Sequence, residues 1–155
     1  MMMPEKCAKP AFSVLGKEGS TQDGPDFVTH LWAEANAHFF EIEALAAKYE
    51  NGMLRGLWGA MSDMSRRFQP WEENFTRGLY LAGVECIEGA VPPEGWTRWD
   101  VPGYEYLRVE CTDANTFSEL IRYLSENEIP LAGAVHDHTC PSNGKSYLYA
   151  PVRKL

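Results

Sequence analysis

An order of elements performed twice constrains this chain more than any other feature. Ala11 to Gly16 is a short apolar run of strand type, and Asp23-Gly24-Pro25-Asp26 supplies a turn and a helix start. Phe27, Leu31, Ala35, Phe39, Ile42, Leu45, Ala46 and Tyr49 then recur at helical spacing until Asn51-Gly52 stops them. Met53 to Met61 and Leu79 to Ile87 read as strands, separated by a polar stretch studded with Phe68, Trp71 and Phe75. After a Pro/Gly-rich crossing from Val91 to Gly95 the order returns. Tyr104 to Cys111 reads as a strand, and Thr112-Asp113 opens a helix with the apolar face Phe117, Leu120, Ile121 and Leu124. Ala132 to Asp137 and Ser146 to Val152 form a hairpin around Pro141-Ser142-Asn143-Gly144. The expected fold is therefore α+β: two pseudo-repeated β-α-β-β units sharing one antiparallel sheet, with both helices on one face and a ligand cleft between the halves.

At 155 residues the chain is long enough for one domain with a real core. Residues 1–10 carry charges and a proline where a signal peptide needs an apolar stretch, so they read as a loose end ahead of a single domain, 11–155. No apolar run approaches the roughly 20 residues of a membrane span. Cys7, Cys86, Cys111 and Cys140 show no CxxC spacing, which fits free thiols in a cytoplasmic protein. The net charge of −8 argues against direct nucleic-acid binding, which relies on clustered Lys and Arg, and favours a cationic ligand over an anionic surface.

Glu85 is the first candidate for chemistry. It interrupts a run apolar on both faces, and strand alternation sets it beside Leu81, Gly83 and Ile87. A carboxylate there either enters a pocket or is satisfied by a salt bridge or by water at the strand end. Gly83 beside it removes a side chain and opens space over the sheet. Trp58, Phe68, Trp71, Trp96, Trp99, Tyr104, Tyr106, Tyr147 and Tyr149 are the aromatics that can wall such a pocket, unless half or more of them are core or surface strand residues. His136-Asp137-His138-Thr139-Cys140 offers alternate-position ligands, but too few for a zinc site, so no metal and no cofactor are expected. Ser62, Asp63 and His30 lack a nucleophile-elbow context.

Three stretches resemble the GyrI-like small-molecule-binding family: Gly56-Leu57-Trp58-Gly59-Ala60-Met61-Ser62-Asp63, Gly78-Leu79-Tyr80-Leu81-Ala82-Gly83-Val84-Glu85 and Tyr147-Leu148-Tyr149-Ala150-Pro151-Val152. That family includes gyrase-inhibitor-like proteins and effector-binding domains of multidrug-sensing activators. The resemblance implies the doubled fold, a ligand in the cleft and Glu85 in its wall. One departure is Tyr147, where the family's last strand often carries a glutamate serving lipophilic cations. The implied function is binding of planar hydrophobic, cationic or neutral drugs or dyes, in a sensing, sequestering or resistance role. Two alternatives stand beside it. One is hydrolysis of cyclopropane-containing DNA-alkylating natural products, with Glu85 as general base and Tyr147 or a neighbouring phenol polarising the leaving carbonyl oxygen. The other is inhibition of gyrase through a protein contact.

Overall fold

The computed structural model describes Met2 to Leu155, and its framework is one eight-stranded antiparallel sheet. The strands are β1 (Glu5–Lys9), β2 (Phe12–Ser20), β3 (Leu57–Ser62), β4 (Leu79–Glu85), β5 (Thr97–Val101), β6 (Tyr104–Glu110), β7 (His136–Thr139) and β8 (Ser146–Lys154). Two longer helices, α1 (Phe27–Ala37) and α3 (Thr116–Glu126), flank α2 (Glu72–Phe75), a single turn in which Glu73 and Asn74 are left-handed. None of the described helices is long and apolar enough to cross a membrane.

The sheet order is β1-β6-β8-β7-β3-β4-β2-β5. Each repeat supplies three adjacent strands, β3-β4-β2 and β7-β8-β6, and the repeats meet through β3 and β7. The doubled β-α-β-β architecture expected from the sequence is present. The outermost strands are exchanged: β1 leads into the first repeat but pairs with β6 of the second, and β5 leads into the second but pairs with β2 of the first. Only Pro10-Ala11 and Pro102-Gly103 make these crossings, so the two sheet edges must approach one another and the sheet must curl. The crossings touch, for a Cβ on Gly103 would lie 3.0 Å from the Ala11 nitrogen.

Alternation gives the curled sheet two distinct faces. On the convex face Tyr80 and Ala82 of β4 pack with Phe27, Val28 and Leu31 of α1, while Leu107, Val109, Leu148 and Ala150 cover Leu120 and Leu124 of α3. The concave face gathers Val14, Trp58, Leu81, Trp99, Val101, Tyr104, Tyr106 and Tyr149. Both helices lie on one face and the opposite face is left for the cleft, as expected.

Local differences have identifiable causes. The expected loose end is in fact β1, held by backbone pairing from Glu5↔Arg108 to Lys9↔Tyr104; it carries Glu5, Lys6 and Lys9 because it is an edge strand. Thr97–Val101, not expected as a strand, forms the other edge in the same way. The first helix stops at Ala37 rather than continuing to Tyr49. Two 3-10 turns follow, and they deliver the Leu45 carbonyl to Ile87 N–H (2.9 Å) and Ala47 N–H to the Glu85 carbonyl (2.8 Å). A continuous helix could not complete the backbone bonding of β4 at that end. The strand expected over Met53 to Met61 begins only at Leu57, because Leu54 instead bridges Lys48.

Candidate functional site

A cavity of about 400 Å³ opens on the concave face where the repeats meet. Pocket residues come from several elements: Glu85 ends β4, Trp58 lies on β3, His138 on β7, Tyr147 and Tyr149 on β8, Arg108 on β6 and Lys9 on β1. Strand alternation explains the set. Glu85 shares a face with Leu81 and Gly83, and Trp58 is paired to Gly83 on one side and His138 on the other; the side chain that Gly83 lacks does not open space as expected but lets the β2 backbone approach, since a Cβ there would lie 2.2 Å from the Leu15 carbonyl oxygen. Tyr149 meets the Trp58 ring at 5.1 Å and the His138 ring at 5.6 Å, both edge-on, while Trp58 and His138 lie 4.4 Å apart.

Glu85 is not a free carboxylate. Lys9 Nζ stands 3.1 Å from it in a half-sheltered pair, the salt-bridge alternative left open by the sequence. The same ammonium lies 4.5 Å from the Phe12 ring centroid and 5.9 Å from that of Trp58. Across the cavity the Arg108 guanidinium covers Tyr147 at 5.0 Å and Tyr149 at 5.9 Å, donates to the Tyr149 hydroxyl and pairs with Glu5 at 2.7 Å. Burial pushes the Tyr149 phenol up, so it stays neutral. Burial also drives His138 down to about 4, leaving a neutral imidazole at neutral pH. Trp58 Nε1 and His138 Nδ1 are buried without a hydrogen-bond partner among the described residues.

The other expected wall residues lie elsewhere. Phe68, Trp99, Tyr104 and Tyr106 sit on the same face but fill it rather than wall the cavity. The loop after β3 plugs that end of the trough. Phe68 N–H donates to Ser62 Oγ, the Phe68 ring stands edge-on to Trp99 at 5.8 Å, and Trp99 Nε1 donates to Glu18 at 2.7 Å. Trp71 is on the opposite face, against Phe27 and bonded through Nε1 to the Leu79 carbonyl, beside a separate apolar hollow of about 240 Å³. Trp96 packs near Ala90 and Cys86 and donates to Glu41.

Asp63 serves the plug. Burial alone would raise its carboxyl, but hydrogen bonds from Ser65, Arg67 N–H, Ser62 and Gln69 N–H hold it below the usual range. His30 is on an exposed part of α1. His136 accepts from Met61 N–H at 3.0 Å, whereas Asp137 points the other way and accepts from the Tyr80 hydroxyl at 2.8 Å. Among the described residues no three of His, Cys, Asp or Glu converge as metal ligands. Sequence reasoning missed Lys9, Arg55, Tyr49 and Arg108. Arg108 was within reach, since it lies two residues beyond Tyr106 on the same strand face.

No protein-family model matches the chain, and no curated protein matches it by sequence. Solved structures do. SAV2435, in a structure bound to tetraphenylphosphonium, aligns over 98% of this chain and 94% of its own at 13% identity, with a TM-score of 0.67. The EcmrR C-terminal domain aligns over 99% and 100% at 13% identity and a TM-score of 0.64. Within an EcmrR–DNA complex the same likeness gives 0.68 at 11% identity and spans 58% of that longer chain. By fold, the chain is a cleft-bearing α+β domain. It has the GyrI-like fold that the three sequence stretches resemble.

Proposed function

We propose that this protein binds small planar hydrophobic molecules in the concave-face cavity, in a sensing or sequestering role. The observation that carries this reading is the open cavity itself, at the seam of the repeats, with Trp58, Tyr147 and Tyr149 presenting aromatic surface beside Glu85. Its volume falls in the range of pockets that enclose drug-sized ligands. The tetraphenylphosphonium complex of SAV2435 supports a ligand role for this fold. A multidrug role in a bacterial cytoplasm follows from the same family resemblance and belongs to this proposal.

Titration of a chemically broad panel of planar compounds tests it. Saturable quenching of tryptophan fluorescence is expected at micromolar concentration, about 8 kcal/mol of binding. Trp58→Phe should remove most of the response and Trp71→Phe should leave it intact, since Trp71 is on the other face. A panel giving no saturable response overturns the reading. Mass spectrometry of each bound compound separates binding from turnover.

A further inference from the structure

The cavity already contains its own cations. A site for a lipophilic cation needs a carboxylate beside aromatic faces. Here that seat, formed by Glu85 with Phe12 and Trp58, is filled by Lys9 at 3.1 Å from the carboxylate and 4.5 Å from the Phe12 centroid. The second aromatic surface, Tyr147 and Tyr149, is covered by Arg108. A third cation, Arg55, lies 5.0 Å from the Tyr49 ring centroid and has no carboxylate within ion-pair distance among the described residues. The cavity is thus lined by Lys9, Arg55 and Arg108 against Glu85 alone, while Glu5 answers Arg108 from an exposed position.

We propose that the cavity selects planar organic anions, such as aryl carboxylates or sulfonates, over lipophilic cations. This rests on the small-molecule reading above and reverses the charge preference that the net charge and the family resemblance both suggest. The overall charge of −8 acts from a distance and is screened beyond about 8–10 Å at physiological salt, whereas Lys9, Arg55 and Arg108 line the cavity itself. A cation entering must displace Lys9 from Glu85 or remain unpaired beside three like charges. An anion meets the exposed guanidinium of Arg55 without breaking an ion pair.

The test uses two planar probes of opposite charge, naphthalenesulfonate and naphthyltrimethylammonium, titrated calorimetrically into the full chain at physiological salt. The sulfonate should bind tighter by about tenfold or more, the scale of one charge-assisted contact. Arg55→Gln, an exposed change that leaves the core untouched, should weaken the sulfonate several-fold and spare the ammonium. Lys9→Met should open Glu85 and tighten the ammonium by about tenfold, narrowing or inverting the ratio. Equal or tighter binding of the ammonium to the unaltered protein overturns the charge assignment alone. So does a probe ratio that neither substitution moves. Binding of neither naphthyl probe, in a protein that also ignores the broader panel, removes the small-molecule reading and this proposal together.

Discussion

The two repeats put different chemistry at equivalent positions, and the cavity arises from that difference. About the Trp58–His138 pair, β3 corresponds to β7, β4 to β8 and β2 to β6. Opposite Trp58 stands Gly83, itself paired with Gly16; opposite His138 stands Tyr147, paired with Glu110. Two residues on, Glu85 and Val14 correspond to Tyr149 and Arg108. One repeat thus brings bare backbones together and offers a carboxylate, while the other raises phenols and a guanidinium. Identical topology with unlike side chains yields a pocket with one acidic and one basic-aromatic wall. A symmetric doubling would have given two like walls.

The largest expected break in this comparison is at the glycine pair. A Cβ on Gly16 would lie 2.3 Å from the Ala82 carbonyl oxygen, and one on Gly83 would lie 2.2 Å from that of Leu15. Both neighbours are strand backbone, so Gly16→Ala or Gly83→Ala should cost about 3 kcal/mol or more, or prevent folding, in urea denaturation. Cooperative unfolding of either variant at the native midpoint would show that the two backbones are not in close approach.

Acid sensitivity should belong to the second repeat. His136-Asp137-His138 corresponds to Gly56-Leu57-Trp58, which carries no titrating group. Burial depresses both histidines to about 4, so their stabilisation is complete above pH 6.5 and is lost as pH falls through 4. Burial raises Asp137 to about 6, so its contribution is present below 3.8 and is lost as pH rises through 6. Two groups therefore oppose one on acidification, and a net loss on the order of 3 kcal/mol is expected between pH 7 and 4. Denaturant midpoints across that range measure it, and His136→Asn should shrink the drop.

Smaller effects sharpen the contrast. Tyr147→Ala should fold normally and weaken a planar ligand by about 1 kcal/mol, the scale of a lost aromatic contact; calorimetry reads the change. The smallest belongs to Glu110, which stands where the first repeat has Gly16. Its only ion pair among the described residues is an exposed one with Lys145, so Glu110→Ala should change stability by less than about 0.5 kcal/mol. A larger loss would mean that the two edges share a constraint that the register does not reveal.

The sequence made the architecture and the acidic wall legible, because both rest on periodicity. A lone carboxylate in a doubly apolar strand identified Glu85, and alternation put Tyr147 and Tyr149 on one face. Aromatic content could not separate a wall from a plug. Phe68 and Trp71 come from one stretch, yet a loop with left-handed Arg66 and Phe68 sends them to opposite faces of the sheet. Edge strands were hidden for a different reason. In Glu-Lys-Cys-Ala-Lys the solvated side chains of an edge look like those of a tail, and only the register with β6 turns Lys9 inward.

The exchange of β1 and β5 has a consequence for how the protein is made and handled. Strand β1 pairs with residues about a hundred positions later in the chain, from Glu5↔Arg108 to Lys9↔Tyr104. Such a contact carries a high loop-closure cost and forms slowly compared with the local hairpins. The lysine that guards Glu85 is therefore among the latest residues to find its place. A backbone cut at Pro10 that released β1 would leave an unguarded carboxylate and an uncovered β6 edge, making proteolysis at that crossing a chemical edit of ligand choice.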